Sequence, residues 1–281
     1  MAFIQMNFLS ESLMRTVNVN VILPVDKIDV TGGPIQEPQP FKTLYLLHGI
    51  LGSHVDWING TNIQRWAEEK NLAVVMPAGE NSFYLDRQET HELYGTYVGR
   101  ELVELTRKAF PLSRRREDTF IGGLSMGGYG ALRNGLLNHD IFSHIVALSV
   151  ADVAVDAIID ESDNAPFFQK RPYMEGIFGD LSKVKGSDKD IQWIAGELAG
   201  KKGSLPAKSS LPAIYLACGT EDELLDRNRR LKNCFEKHGY RLTYVEGPGN
   251  HEWDFWDAQI RQAIDWLPLS GNAGMNSGNV F

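Results

Sequence analysis

The stretch DTFIGGLSMGGYG, residues 118–130, constrains the fold of this chain more than any other. It opens with a short apolar run that predicts a buried strand, reaches Gly-Leu-Ser-Met-Gly around Ser125, and continues in helix-forming residues. A serine on a sharp turn from strand to helix is the layout of a nucleophile elbow. At such a turn two segments pass so close that a Cβ at Gly123 or Gly127 would clash. The pattern becomes specific only if the rest of the chain supplies a base, an acid and an oxyanion hole.

The composition is that of an ordinary globular protein, and it argues against several classes of function. The chain has 281 residues, of which 43% are hydrophobic and 23% are charged. Its net charge of −8 argues against nucleic acid or an anionic membrane as a partner. No apolar run approaches the length of a bilayer crossing, and the N-terminus lacks the basic and apolar regions of a signal peptide. We therefore expect a cytoplasmic protein.

The two cysteines, Cys218 and Cys234, form neither a metal-ligand spacing nor a disulfide framework. Cys218 lies in an apolar run and is expected to be a small buried hydrophobic residue. The sequence predicts no metal site and no cofactor.

Predicted strands alternate with predicted helices along most of the chain. The strands cover residues 2–9, 12–23, 43–48, 72–77, 119–124, 145–149, 213–218 and 242–245. The helices cover residues 62–70, 94–109, 126–138, 224–237 and 253–266. This alternation predicts an α/β fold, with a mostly parallel central sheet and helices on both faces. The second strand alternates polar and apolar residues clearly from Val17 to Val21. Alternation suits a sheet edge with one face in water, so we predict that the first two strands form an antiparallel pair.

We expect one domain over residues 1–269, because neither an internal repeat nor an interdomain linker is present. The alternating pattern breaks down over about residues 150–211, where we expect a short helix at 153–159 and mostly irregular structure. A loop-rich span of this length is usually functional, and we interpret it as a cap-like insertion near the active site. The tail, residues 270–281, is rich in Gly, Asn and Ser and is predicted to be disordered.

Three polar residues that can form a catalytic triad each follow a different predicted strand. In open α/β sheets the chemistry lies beyond the carboxyl ends of the strands, and Ser125, Asp222 and His251 all occupy such positions. Their order along the chain is the one expected of an α/β-hydrolase. A serine hydroxyl becomes a nucleophile only when a base takes its proton. A histidine, which ordinarily titrates near ~6.5, can accept that proton and return it. Asp222 would hold the imidazole tautomer and stabilise its charged form.

Other histidines and carboxylates compete for these roles. His48 also ends a predicted strand, but we expect it to be structural within a His-Gly turn. Glu221 and Glu223 flank Asp222, which is preferred because the Gly-Thr-x-Asp turn places it like the third member of known triads. Asp226 lies inside the following helix. The remaining histidines lack a strand-end setting: His54, His91, His139, His144 and His238.

Acyl transfer also needs an oxyanion hole, in which each backbone N–H donor contributes roughly 3–4 kcal/mol. The residue after the nucleophile, Met126, is expected to supply one donor from the N-terminus of its helix. The second is expected from the loop after His48 and Gly49, with Ile50 as the donor.

Four strings of the chain resemble, in order, the motifs of the esterase D-type α/β-hydrolases. They are LLHG at 46–49, GLSMGGYGA at 123–131, GTED at 219–222 and GNHEW at 249–253. The family includes S-formylglutathione hydrolases, tributyrin esterases, feruloyl and acetyl-xylan esterases and mycolyltransferases, and the resemblance spans about residues 3–268. It implies an α/β-hydrolase fold and a serine carboxylesterase. Its implied site residues are the nucleophile Ser125, the acid Asp222, the base His251 and the oxyanion-hole amides of Ile50 and Met126.

Departures from the family motifs narrow the choice within it. S-formylglutathione hydrolases usually carry Ser-Gly-Leu-Thr-Cys where this chain has HGILG at 48–52, and mycolyltransferases carry Asp where His48 stands. The His-Gly pattern followed by Asp56 and Trp57 is most similar to the tributyrin and feruloyl or acetyl-xylan esterases.

Aromatic residues of the strand-end loops and of the insertion are candidates for the substrate pocket. For any one of them core packing is the simpler interpretation, but as a group in an irregular segment they favour a small apolar acyl or aryl group. The candidates are Trp57, Phe83, Tyr84, Phe167, Phe168, Tyr173 and Phe178.

The sequence therefore predicts an enzyme that hydrolyses short acyl esters, acetate to butyrate, through an acyl-enzyme intermediate. Alternatives are a feruloyl or acetyl-xylan esterase and an S-formylglutathione thioesterase. An acyltransferase would differ only in whether an alcohol or water takes the acyl group. A non-enzymatic binding protein on this fold would normally have lost a triad member. The expected partner is a small-molecule ester, and a homo-oligomer is left open.

Overall fold

The computed structural model describes residues 1–27, 39–152, 159–201 and 211–269. Its strands are β1 (Ala2–Ser10), β2 (Arg15–Leu23), β3 (Thr43–Leu47), β4 (Ala73–Pro77), β5 (Asp86–Arg87), β6 (Glu92–Leu93), β7 (Thr119–Leu124), β8 (His144–Leu148), β9 (Ala213–Gly219) and β10 (Leu242–Gly247). Eight of them form one sheet in the order β1-β2-β4-β3-β7-β8-β9-β10, and β5 pairs with β6 in a separate two-stranded sheet.

The sheet is mostly parallel, with an antiparallel edge. β1 pairs antiparallel with β2, from Ala2 opposite Leu23 to Ser10 opposite Arg15, and β2 pairs antiparallel with β4. From β4 to β10 every neighbouring pair is parallel. The predicted antiparallel pair is confirmed, and the side chains of β1 alternate between exposed and half-buried. The wet face expected for the second strand is wrong over most of its length, because β2 lies between β1 and β4 and every side chain from Val19 to Leu23 is buried.

The helices are α1 (Asp56–Gly60), α2 (Ile63–Glu69), α3 (Tyr94–Thr96), α4 (Leu102–Ala109), α5 (Met126–Leu137), α6 (Arg171–Phe178), α7 (Ile191–Gly200), α8 (Leu225–Lys237) and α9 (Trp253–Trp266). A π-helical segment, Tyr97–Glu101, joins α3 to α4, and short 3-10 turns lie at Arg116–Asp118, Phe167–Gln169 and Leu181–Lys183. None of the helices in the described part of the chain is long and apolar enough to cross a membrane.

Most buried side chains of the described residues form two large core clusters, one on each face of the sheet, and a small third cluster contains Leu23, Ala73 and Leu112. Successive residues of β3 belong alternately to the two clusters, as the two-residue period of a strand requires: Leu44 and Leu46 to one, Tyr45 and Leu47 to the other. Helices α1, α2 and α9 cover the first face, and α3 to α8 cover the second. The predicted α/β architecture is confirmed.

The insertion is more regular than the sequence predicts. Residues 150–211 contain α6 and α7, whose apolar side chains pack into the main core: Met174, Ile177, Ile191, Ile194 and Leu198. The N-terminus of α7 is capped by Asp190, whose side chain accepts hydrogen bonds from the N–H groups of Gln192 and Trp193. Both helices are short, so their periodicity is weak in the sequence. The predicted helix at 153–159, except Ile159, and the tail at 270–281 lie outside the described residues.

The predicted helix at 94–109 is interrupted by the π-helical segment. This segment brings the Glu101 carboxylate under the β1–β2 turn, where it accepts hydrogen bonds from the Ser10 hydroxyl and from the N–H groups of Glu11 and Ser12, at 2.7–3.0 Å. Because residues 10–12 are about 90 positions away from Glu101 in sequence, the helical periodicity of residues 94–109 does not predict this interruption.

A buried carboxyl group connects α7 to the loop after β8. Asp152 is 4% exposed, and its Oδ2 accepts a hydrogen bond from Nε2 of Gln192 over 3.3 Å. Burial raises the pKa of Asp152 to about 6, and the hydrogen bond from Gln192 offsets only part of that effect.

This burial predicts a pH-dependent contribution to stability. Because the folded pKa of Asp152 lies above its ordinary 3.8, the contribution is complete below about pH 4 and is lost as pH rises through 6. One pKa unit corresponds to about 1.4 kcal/mol, so ionised Asp152 costs up to about 3 kcal/mol at pH 7.5. About 1 kcal/mol of this is already lost at pH 4.5, so we expect Asp152→Asn to gain about 2 kcal/mol in free energy of unfolding, relative to wild type, between pH 4.5 and pH 7.5. Urea denaturation at both pH values measures it.

The control is Asp226→Asn, whose carboxyl is 84% exposed on α8. Its effect on unfolding is expected to be the same at both pH values. A difference between Asp152→Asn and wild type that does not change with pH contradicts the prediction.

Candidate active site

Ser125 lies on the sharp turn between β7 and α5, as the sequence predicts. Its backbone has φ +54° and ψ −118°, a positive-φ conformation that non-glycine residues rarely adopt. The Ser125 N–H donates to the carbonyl of Leu148 over 2.8 Å, and its carbonyl accepts from the N–H groups of Tyr129 and Ala151. The strained turn is therefore held by the end of β8 and the first turn of α5.

Two glycines allow the elbow to pack against the neighbouring backbone. A Cβ at Gly123 would lie 2.3 Å from the carbonyl oxygen of Gly127. A Cβ at Gly127 would lie 2.4 and 2.5 Å from the carbonyl oxygens of Leu47 and His48. These are backbone contacts, which no change of side-chain rotamer can relieve. The expectation that a Cβ would clash at both positions is confirmed.

The three predicted triad side chains meet at the carboxyl end of the sheet. Nε2 of His251 lies 3.0 Å from Oγ of Ser125, and Nδ1 of His251 lies 2.9 Å from Oδ2 of Asp222. The second carboxylate oxygen of Asp222 accepts a hydrogen bond from the N–H of Leu224 over 2.9 Å. A serine, an imidazole and a carboxylate in this continuous chain can activate the serine hydroxyl.

The electrostatics around Asp222 favour its ionised form. Burial raises the pKa of this carboxyl, but the hydrogen bond and the charge of His251 together with the N–H of Leu224 outweigh it, so the pKa lies below its ordinary value. An ionised carboxylate at this place can orient the imidazole and stabilise its protonated form.

Two residues beside this hydrogen-bonded chain, Trp256 and Ser149, were not predicted from the sequence. The indole ring of Trp256 lies edge-on to the ring of His251, with centroids 4.9 Å apart. Its Nε1 donates to Oγ of Ser149 over 3.1 Å, and a hydrogen bond with Ser149 helps to lower the pKa of Asp222. One signal was available: Ser149 directly follows β8, at a carboxyl end of the sheet.

The competing carboxylates lie elsewhere. Glu221 accepts a hydrogen bond from the N–H of Gly249 over 2.6 Å, and its own N–H donates to the carbonyl of Gly249 over 3.1 Å. Glu221 thus ties the loop that carries Asp222 to the loop that carries His251. Asp226 pairs with Arg229 on α8. Asp222 is the carboxylate whose oxygen contacts the imidazole.

His48 is a structural residue, as expected. It is buried, and its Nε2 accepts a hydrogen bond from the N–H of Gly79 over 2.8 Å. The ring proton is therefore on Nδ1, which donates to the carbonyl of Gly49 over 2.7 Å. Burial lowers the pKa of His48, which keeps the ring neutral. Among the described residues, no cluster of three or more His, Cys, Asp or Glu side chains is arranged to hold a metal ion.

The two predicted oxyanion-hole residues flank the serine. Met126 is the first residue of α5, where an N–H has no acceptor in a preceding helical turn. Ile50 lies in the turn after β3, which packs against the elbow through Gly127. Within the described residues, the N–H groups of Met126 and Ile50 have no protein acceptor. The prediction that these two N–H groups form an oxyanion hole is compatible with this absence of acceptors.

Several predicted pocket residues lie in the core instead. Trp57 is 1% exposed, and its Nε1 donates to the carbonyl of Leu47 over 3.0 Å. Tyr84 is fully buried, and its hydroxyl donates to the carbonyl of His48 over 3.0 Å. Phe83 and Phe178 are also buried. These four side chains are almost completely enclosed by protein. Such burial depends on contacts between segments, which periodicity along the chain does not show.

The aromatic residues of the insertion are more accessible. Phe167 is 49% exposed and packs edge-on against Phe168 and Tyr173, with ring centroids 5.4 and 4.9 Å away. Phe168 and Tyr173 are half-buried. These three residues stay candidates for contact with a substrate.

Comparison with known proteins identifies the family. Residues 10–267 match the family model named Esterase. The chain belongs to the Esterase family. It is 43% identical over 267 residues to an acetyl esterase from Caldicellulosiruptor saccharolyticus, and the alignment covers 95% of this chain and 98% of that relative.

Solved structures show the same fold. The S-formylglutathione hydrolase from Staphylococcus aureus superposes with a TM-score of 0.79 at 31% identity, covering 95% of this chain and 98% of that one. A ferulic acid esterase superposes with a TM-score of 0.74 at 18% identity, covering 95% and 96% of the two chains, a likeness that shows the fold alone. The mostly parallel sheet with helices on both faces is the α/β-hydrolase fold of these structures, and the predicted esterase resemblance is confirmed.

The elbow geometry makes Gly127 intolerant of any side chain. We expect Gly127→Ala to lower the free energy of unfolding by about 3 kcal/mol or more, because the added Cβ meets two backbone carbonyls. Urea denaturation measures the change. The matched control is Gly176→Ala in α6, where an added Cβ meets nothing within 4 Å. That variant should be more stable by about 0.5–1 kcal/mol. Equal stabilities of the two variants would show that the close approach is not required.

Proposed function

We propose that the chain is a serine carboxylesterase that hydrolyses short acyl esters through an acyl-enzyme. The observation that carries the proposal is the continuous hydrogen-bonded chain from Oγ of Ser125 through His251 to Asp222. Membership of the Esterase family supports it. A protein that only binds a ligand would not need these three side chains to be aligned by hydrogen bonds.

In the proposed mechanism, Oγ of Ser125 attacks the ester carbonyl while Nε2 of His251 takes its proton. Asp222 stabilises the imidazolium that forms. The negative charge on the tetrahedral intermediate is held by the N–H groups of Met126 and Ile50. The intermediate collapses, the C–O bond to the alcohol breaks, and His251 returns the proton to the departing alkoxide. Water then attacks the acyl-enzyme with His251 as the base, which releases the acid and restores Ser125.

The proposed substrate is an ester of acetate to butyrate. The acetyl esterase relative supports this choice, because it is 43% identical over nearly the whole of both chains. S-formylglutathione is the second candidate, favoured by the structural likeness to a hydrolase of that thioester at 31% identity. Water as the acyl acceptor and a metal-free, cofactor-free reaction belong to the same proposal.

Removing the nucleophile tests the reaction class. Ser125→Ala should lower kcat on p-nitrophenyl acetate on the order of 10⁴-fold or more and abolish labelling by a fluorophosphonate probe. The control is Ser162→Ala, an exposed serine of the insertion, which should keep wild-type turnover and labelling. Turnover by Ser125→Ala at the wild-type rate would refute the triad assignment.

A panel of esters tests the substrate class. We expect kcat/KM to fall by about tenfold or more from p-nitrophenyl butyrate to the dodecanoate, because a small acyl site cannot hold the longer chain. S-formylglutathione, methyl ferulate and acetylated xylan complete the panel, with Ser125→Ala as the blank. Activity that rises from butyrate to dodecanoate contradicts the short-chain assignment, and a preference for S-formylglutathione favours the thioesterase.

A further inference from the structure

Two loops at the carboxyl end of the sheet pack against each other beside Ser125. We call residues 48–52, after β3, the oxyanion loop, and residues 78–84, after β4, the support loop. The support loop is strained, because Glu80, Phe83 and Tyr84 all have positive φ, between 47° and 54°. Such conformations persist only where contacts with the surrounding structure hold them in place, and they cluster at functional sites.

One end of the oxyanion loop is anchored in the core. The His48 ring accepts a hydrogen bond from the N–H of Gly79, and the His48 carbonyl accepts one from the Tyr84 hydroxyl over 3.0 Å. Both donors belong to the support loop. This end of the oxyanion loop is therefore fixed by buried groups.

Within the part of the chain that the structure describes, the other end is tied only to the loop itself, by a turn hydrogen bond from the Gly52 N–H to the Gly49 carbonyl over 3.2 Å, and to Asn81 in the support loop. The side chain of Leu51 is 69% exposed, so packing does not hold it, and its backbone has φ +65°. The N–H of Leu51 donates to Oδ1 of Asn81, in the support loop, over 2.8 Å. Leu51 directly follows Ile50, whose N–H is the proposed second oxyanion donor. The Asn81 amide thus holds the peptide next to that donor.

Asn81 also lies close to the insertion. Burial raises the pKa of the Tyr173 hydroxyl in α6, and the nearby side chain of Asn81 opposes that increase. Arg87, just beyond the support loop, donates to the carbonyl of Gly176 in the same helix over 2.9 Å. The support loop is therefore placed between the oxyanion loop and α6.

We propose that Asn81 is a positioning residue, which acts on the reaction by holding the Ile50–Leu51 peptide of the oxyanion loop in its productive orientation. The inference rests on the proposed function, since it assigns Asn81 to the oxyanion hole of that reaction. Asn81 contacts neither the substrate nor Ser125 in this assignment.

The effect of losing Asn81 is specific to the transition state. The oxyanion forms only after attack, so a misplaced donor weakens the transition state more than the bound ester. Removing an oxyanion donor outright lowers kcat by about 10²–10³-fold, and a donor that is displaced rather than removed should lower it by about 10- to 100-fold.

The test compares Asn81→Ala, Asn81→Asp and wild type on p-nitrophenyl acetate. Asn81→Ala should lower kcat by about 10- to 100-fold with KM within about threefold, and should weaken inhibition by a trifluoromethyl ketone by a similar factor, because that inhibitor forms an oxyanion on Ser125. Asn81→Asp keeps an acceptor for the Leu51 N–H and should recover kcat to within about fivefold of wild type, since its added charge is half-exposed.

The control is Asn59→Ala, an exposed asparagine of α1, which should keep wild-type kcat and inhibitor affinity. Urea midpoints identify variants that are merely destabilised, and Asn81→Ser replaces Asn81→Ala if that protein does not fold. Wild-type kcat in a folded Asn81→Ala protein overturns the inference, as does a change confined to KM or a failure of Asn81→Asp to recover activity. An active Ser125→Ala protein instead overturns the proposed function.

Discussion

The close approach of α5 to the end of β3 is the constraint on which the site depends. At Gly127 the backbone of the helix passes so near the carbonyls of Leu47 and His48 that a Cβ has no room. This contact presses the first turn of α5 against the oxyanion loop. The end of β3, from which the turn containing Ile50 continues, is thereby held next to Ser125 and the N-terminus of the helix. Without this contact, Ser125 and the proposed second donor would belong to separate surfaces.

The parallel sheet supplies the remaining groups. Because β7, β9 and β10 run in the same direction, their carboxyl ends open at one edge, and the loops that carry Ser125, Asp222 and His251 converge there. Hydrogen bonds between the loops fix the convergence: Gly249 donates its N–H to the Glu221 carboxylate and accepts the Glu221 N–H on its carbonyl. The site is thus built from the ends of rigid elements, and each reacting side chain has short connections to the sheet.

Much of this arrangement was readable from the sequence, for identifiable reasons. Buried parallel strands are continuous apolar runs, and long amphipathic helices such as α8 repeat their apolar residues at helical spacing. The elbow could be recognised because its glycines and serine are required by local geometry. In the sequence, only the Gly-Thr-x-Asp turn favoured Asp222 over Glu221 as the acid. In the structure, Asp222 contacts the imidazole, whereas Glu221 joins the two loops.

The α/β architecture, the strand-to-helix turn at Ser125 and the order of the polar residues at the strand ends can all be predicted from the sequence, because they follow from local geometry and from burial patterns within one segment. Which side chains meet across segments depends on how the whole chain folds. The tertiary structure buries Trp57 and Tyr84 in the core, folds part of the insertion into α6 and α7, places Trp256 behind His251, and sets Asn81 against the oxyanion loop. Such contacts join different segments of the chain, as Asn81 and Leu51 do across 30 positions, and no spacing along the chain encodes them.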